Sequence, residues 1–189
     1  PAQTKESMDT SGKEAPEVIA SEDVYRGRIF TVTLDTVRED GREHKREVVR
    51  HPGSAAIVAV HDDNTVSLVR QYRHPTVKYL LEIPAGSRGD FEPPEECAAR
   101  ELEEELGVVA ERWEKLSEFF VSPGFCGEKM WVYLATDLTE TKANPEDDEN
   151  LEIVRLPLTR ALEMIEAGEI EDAKTIIGLT LAAARLGAG

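Results

Sequence analysis

The stretch GSRGDFEPPEECAARELEEELGV, residues 86–108, decides the fold. It opens on a glycine-containing acidic loop and reaches Pro93-Pro94, which starts a helix, since the first N–H groups of a helix have no partner to lose. Glu95 and Glu96 suit the positive end of the helix dipole. Cys97, Ala98, Leu102 and Leu106 fall on one apolar side, and Gly107 stands where a left-handed residue ends a helix. Glu101, Glu104 and Glu105 are spaced i, i+3, i+4, so their carboxylates share one face, away from the apolar set. Two readings of that face are open. It is a solvated helix surface, or it is a platform for a hard divalent cation that takes oxygen ligands. Arg100, next in the chain, can hold one carboxylate in place.

Outward from this helix the elements alternate between strands and turns. Arg28–Leu34 is rich in β-branched and aromatic residues and reads as a strand. Asp40-Gly41 is a hairpin turn, and Glu47–Arg50 is the returning strand. Ala55–Val60 is the longest compact apolar run, expected as a buried strand. It turns at Asp62-Asp63-Asn64 into Thr65–Gln71. Leu80–Ile83 is a short strand before Pro84-Ala85-Gly86. Beyond the helix, Phe119–Val121 and Met130–Thr136 read as strands around a loop, and Ile153–Leu156 as the last strand. Leu162–Ala167 and Ala173–Leu186 are expected as helices. This order predicts an α+β fold with a mixed sheet. Residues 1–20 are polar and aperiodic and read as a disordered tail; residues 21–189 are expected to form one domain.

The chain has 189 residues and a net charge of −16. That balance excludes a broad nucleic-acid footprint, which needs clustered Lys and Arg, but it leaves room for a small phosphorylated ligand if a cation mediates. The acids gather in two places. Residues 86–106 carry Asp90, Glu92, Glu95, Glu96, Glu101, Glu103, Glu104 and Glu105 against Arg88 and Arg100. Residues 140–152 carry Glu140, Glu146, Asp147, Asp148, Glu149 and Glu152 against Lys142. His44, His51, His61 and His74 are scattered, with no zinc spacing. Cys97 belongs to the apolar side of the helix, and Cys126 has no evident base partner. No membrane span or signal peptide is seen, so a cytoplasmic protein is expected.

Read as Gly86-x5-Glu92-x7-Arg100-Glu101-Leu102-x-Glu104-Glu105-x-Gly107-Val108, residues 86–108 resemble the Nudix box of the Nudix hydrolases at all nine positions. The resemblance extends outside the box. Arg70–Pro75, Leu81–Gly86, the Ser122-Pro123-Gly124 turn and Gly168–Ile176 are similar to the ADP-ribose pyrophosphatase subfamily.

That resemblance implies a Nudix-type mixed β-sheet sandwiched between helices, with an N-terminal antiparallel strand region. It implies Mg²⁺-dependent hydrolysis (Mn²⁺ possible, two or three ions) of ADP-ribose to AMP and ribose 5-phosphate. Other nucleotide sugars or oxidised nucleotides are the alternative substrates, and a non-catalytic ADP-ribose sensor is a further alternative. Carried over by position, Glu101, Glu105 and the Ala85 carbonyl would be metal ligands, with Glu104 catalytic beside them. Gly86, Glu92 and Arg100 would be structural supports. Arg73 would contact the substrate phosphates, with Arg28, Glu82, Ser87 and Pro123 also at the substrate and Glu128 nearby. The acidic loop would supply Glu149 as a further ligand and catalytic group. Asp147 would be the water-activating base, although Glu146 or Asp148 could take that part, because relatives commonly carry Glu where Asp147 stands. A homodimer with exchanged N-terminal strands is also implied.

Overall fold

The computed structural model describes residues 15–141 and 151–187, in two compact units. The smaller comprises the chain up to His51 together with Val121–Glu128. It is a three-stranded antiparallel sheet of β1 (Glu17–Arg26), β2 (Thr31–Glu39) and β3 (Arg42–Arg50), in that order. Asp40 and Gly41 both take positive φ, 49° and 74°, as a tight hairpin with the twist of its strands demands. Asp35, 3% exposed, stitches the three strands together. It accepts a hydrogen bond from Ser21 on β1 at 2.6 Å and pairs with Arg50 on β3. The Ser21 bond, with Thr33 and Arg50, holds its carboxyl below the usual range against the effect of burial. β1 begins at Glu17, inside the stretch expected to be a tail. Its residues pair along β2, Glu17 with Arg38 and Val18 with Val37, so backbone pairing orders a segment that has no hydrophobic period of its own.

The larger unit comprises Pro52–Phe120 and the chain from Lys129 onward. Its strands are β4 (Ser54–Val60), β5 (Thr65–Arg73), β6 (Lys78–Glu82), β7 (Ala85–Ser87), β8 (Val108–Phe120), β9 (Lys129–Glu140) and β10 (Glu152–Pro157). They form one mixed sheet of order β10-β5-β4-β9-β8, with β6 paired to β5 and β7 to β4. β4 runs parallel to β9 and antiparallel to its other neighbours. Every residue of β4 is buried, because both faces are covered. Alternation along it divides the core. Ala55, Ile57 and Ala59 meet Cys97, Ala98, Leu102 and Leu106 of α1 (Pro94–Leu106) on one face. Ala56, Val58 and Val60 meet α2 (Leu158–Glu166) and α3 (Ala173–Leu186) on the other. The mixed sheet between helices is therefore as expected. Among the described residues no helix is long and apolar enough to cross a membrane.

In the larger unit three elements differ from the sequence reading, the first being β7, a short strand formed by pairing with β4 where a loop was expected after Ile83. β8 runs for 13 residues, where only its last two had been expected as strand. A register shift between Lys115 and Ser117 resets its side-chain parity, which hides the alternation. α2 starts at Leu158, four residues early, directly after Pro157, whose fixed φ suits a helix start.

Candidate active site

α1 carries the central side chains. It starts at Pro94 after Pro93, has Glu95 and Glu96 in its first turn, and stops at Gly107 with φ 64° and ψ 37°, as expected. Its Glu face is not a solvated one. Glu101 and Glu105, 7% and 5% exposed, are buried, and a buried carboxylate persists only where charge or hydrogen bonds compensate it. Glu101 lies directly over the backbone of Gly86. A Cβ built on Gly86 would stand 1.8 Å from Glu101 Oε1 and 2.0 Å from its carboxyl carbon. Gly86 cannot retreat, because β7 is laddered onto β4 through Ala55 and Gly86.

Arg100 organises the acids around this point. Its Nε donates to Glu92 Oε1 at 2.9 Å, and its Nη1 to Glu101 Oε1 at 2.6 Å and Glu104 Oε2 at 2.8 Å. Its Nη2 reaches Glu92 Oε2 at 3.1 Å and the Ser87 carbonyl at 3.3 Å. One guanidinium thus holds three carboxylates and the start of the loop, where the sequence suggested one. Its own pKa is raised, first by Glu92. Glu92 in turn is held down at about 2 by the Arg100 hydrogen bonds, against some burial, with help from the Gly89 N–H at 2.7 Å. Arg88 completes the loop. It donates to the Glu92 carbonyl at 2.8 Å and lies 4.9 Å over the Trp131 ring. Cys97 sits underneath, its thiol 3.6 Å from the Gly86 carbonyl. Burial, with Glu92 and Glu101 beside it, pushes that thiol up to about 12, so it packs and does not attack, as expected.

Phe91 is the strained member of this loop. It has φ 62° and is fully exposed. Its side chain gives back no burial for a left-handed backbone that costs ~1 kcal/mol outside glycine. Phe91→Gly is therefore expected to raise the unfolding temperature by about 2 °C, at roughly 2–4 °C per kcal/mol for this chain length. Thermal unfolding checks it. A lowered midpoint would mean that the ring is held by contacts.

A second cluster lies where β6 meets α3. Leu81 and Ile83 pack into the α2/α3 core, with Glu82 between them in the chain. Glu82 is 1% exposed. Arg73, at the end of β5, grips it in a fork, Nε at 2.8 Å and Nη2 at 2.7 Å, and Lys174 of α3 bonds the same carboxylate. Burial pushes Glu82 up, but Arg73 and Lys174 outweigh it and leave the carboxyl below its ordinary value. The Glu82 hydrogen bonds raise Arg73 against the effect of burial, and the charges of Glu82, Asp172 and Glu105 add to it.

The structure thus brings Gly86, Glu92, Arg100, Glu101, Glu104 and Glu105 together, with Arg73 and Glu82 alongside. Ala85 is half-buried in β7, one residue from Gly86. Ser87 is exposed, and its carbonyl is engaged by Arg100. Arg28 and Pro123 are exposed residues of the smaller unit, which also holds the half-buried Glu128, whose Oε1 is 3.9 Å from His51 Nδ1. Asp147 and Glu149, with Glu146 and Asp148, lie outside the described residues. The sequence reading missed Lys174, Asp172 and Arg88. The first two belong to Gly168–Ile176, a stretch it had singled out without giving it a task.

The donor set fits a hard divalent ion. Two buried carboxylates and a neighbouring backbone carbonyl are oxygen ligands, the kind that Mg²⁺ accepts while keeping several waters. Among the described residues no group of three or more His, Cys, Asp or Glu side chains is placed to hold a metal ion.

Known proteins resemble this chain along most of its length. The NUDIX domain family model matches residues 50–177. An ADP-ribose pyrophosphatase of Bacillus subtilis (strain 168) is 39% identical over 162 residues, covering 84% of this chain and 88% of its own. A methanol dehydrogenase activator of Bacillus methanolicus is 39% identical over 166 residues, covering 86% and 90%. The crystal structure of an ADP compounds hydrolase superimposes with a TM-score of 0.79 at 28% identity, covering 92% of this chain and 95% of the other. With Glu101 of the box seated on Gly86 and the family model spanning most of the chain, this protein belongs to the Nudix family.

Proposed function

We propose that the chain is an ADP-ribose pyrophosphatase, adding water across the pyrophosphate of ADP-ribose to give AMP and ribose 5-phosphate. One observation carries the chemistry: Glu101 and Glu105 are both buried on α1, Glu101 lies against the backbone of Gly86, and Arg100 grips Glu101 and Glu104. The relatives' names support the choice of an adenosine-containing substrate.

Glu101, Glu105 and the Ala85 carbonyl, with Glu149, would hold two or three Mg²⁺ (or Mn²⁺) ions. Bound there, the ions supply charge neutralisation of the pyrophosphate and acidify water. Arg100 keeps Glu101 and Glu104 from moving apart under mutual repulsion, so Glu104 stays beside the reacting centre. Arg73, whose Nε and Nη2 are held by Glu82, turns Nη1 to the phosphate oxygens. Asp147 takes the proton of the incoming water, whose oxygen bonds to one phosphorus while the bridging oxygen leaves with the other phosphate. Arg28, Ser87 and Pro123 contribute to the nucleotide side. The exposed Val18, Ile19, Val24 and Tyr25 of β1 support a homodimer built through the N-terminal strands. The free thiols of Cys97 and Cys126 agree with the reducing cytoplasm.

The test is product analysis by chromatography with ADP-ribose, GDP-mannose and 8-oxo-dGTP in parallel, with Mg²⁺ or chelator, for wild type and Glu105→Gln. AMP release from ADP-ribose is expected only with the metal, and the variant should lose ~10²–10³-fold in rate, the scale of removing one preorganised charge-stabilising group. Turnover of another nucleotide alone would overturn the substrate. Tight ADP-ribose binding with no turnover would make the chain a sensor.

A further inference from the structure

Gly168–Ile176 has no part in the chemistry above, yet the structure ties it firmly to the site. Asp172 caps α3, its Oδ2 accepting from the Thr175 N–H at 2.9 Å and the Thr175 hydroxyl at 2.5 Å. The Ile83 N–H donates to Thr175 Oγ1 at 2.8 Å, which locks the start of α3 to the residue after Glu82. Lys174, between cap and lock, then reaches back to Glu82, with its Nζ 3.1 Å from Asp172 Oδ2.

Lys174 is badly placed for helix stability alone. A cation in the first turn opposes the helix dipole. Its side chain is only 12% exposed, so a long flexible chain has been immobilised at an entropic cost. Nor does Glu82 need it for neutrality, since the Arg73 fork already supplies one full positive charge through two hydrogen bonds. What Lys174 adds is a second hold on Oε2, from a helix rigidly tied to β6. The carboxylate is fixed in direction, and its charge is divided between two cations. Arg73 spends Nε and Nη2 on Glu82, so the plane of its guanidinium follows the plane of that carboxylate.

We infer that Lys174 is a positioning residue for the substrate pyrophosphate: by clamping Glu82 it sets the orientation in which Arg73 meets the phosphates. The inference rests on the reading that Arg73 contacts the pyrophosphate. The competing account is a salt bridge that merely pins α3.

A double-mutant cycle separates the two. Lys174→Met keeps the apolar stem and removes the charge, Lys174→Arg keeps the charge, and Arg73→Ala removes the group acted on. For each, and for Arg73→Ala/Lys174→Met, kcat and KM for ADP-ribose are measured with Mg²⁺. The Kd for ADP-ribose is measured by calorimetry in chelator, together with the unfolding temperature. Lys174→Met is expected to lower kcat/KM about tenfold, chiefly through KM, as misplacement of a phosphate-binding group does. Lys174→Arg should recover most of that loss. In the Arg73→Ala background the same substitution should change kcat/KM and Kd by less than about twofold, the range of an absent coupling. The inference is overturned if Lys174→Met lowers only the unfolding temperature, or if its effect multiplies with that of Arg73→Ala. If Arg73→Ala itself changes neither kcat/KM nor Kd, the phosphate reading of Arg73 fails and takes the inference with it. If no nucleotide is turned over, the pyrophosphatase reading fails alone, and the cycle is decided by Kd.

Discussion

In a Gly86→Ala variant, turnover is expected to fall by about 10²-fold or more while the fold survives, because a small misplacement of a catalytic ligand is enough for such a loss. The added methyl would occupy the volume that the Glu101 carboxylate now fills, with both carboxyl oxygens within 2.4 Å of the new carbon. Something must shift, and the backbone is the stiffer partner. Gly86 is laddered to Ala55 on β4, and β4 is buried along its whole length. Glu101 is the far end of a flexible side chain, so it is the group that yields. Space, and not backbone conformation, requires glycine here, since Gly86 is not among the residues of positive φ. The measurement pairs kcat/KM with thermal unfolding. Full activity would show that the Glu101 carboxylate need not lie against Gly86. A collapse of the unfolding temperature would show that β7 had given way instead.

Glu82→Ala is expected to have the largest effect on stability. The carboxylate is 1% exposed and compensates Arg73 and Lys174. Removing it strips Arg73 of its fork partner and leaves Lys174 only Asp172, 3.1 Å away, and breaking a buried pair from one side costs ~3–5 kcal/mol. At roughly 2–4 °C per kcal/mol, the midpoint should fall by about 10 °C. Glu82→Ala/Lys174→Met should be less destabilised than the two single variants summed, because the second substitution removes the surplus charge. Thermal or denaturant unfolding decides this. An unchanged midpoint for Glu82→Ala would mean that solvent already compensates the two cations, and additive losses would mean that they do not sense one another.

What the sequence determined by itself was local. The proline start, the apolar side and the Gly107 stop of α1 depend on residues within a few positions of one another, and so does the Asp40-Gly41 hairpin. The grouping of Glu101, Glu104 and Glu105 on one face follows from helical geometry alone. The run Ala55–Val60 could be read as a buried strand because being covered on both faces demands unbroken apolarity. The tertiary structure decided that the Glu face is not a solvated helix surface. Glu101 is buried against Gly86, and Arg100 grips three carboxylates around it. It also decided the extent of β8, since a register shift destroys the period on which a strand reading depends. And it brought Lys174 to Glu82 across 92 residues of chain. No period or spacing encodes that meeting. It exists because β6 and α3 are locked together at Ile83 and Thr175, and only the folded sheet sets where those two residues stand.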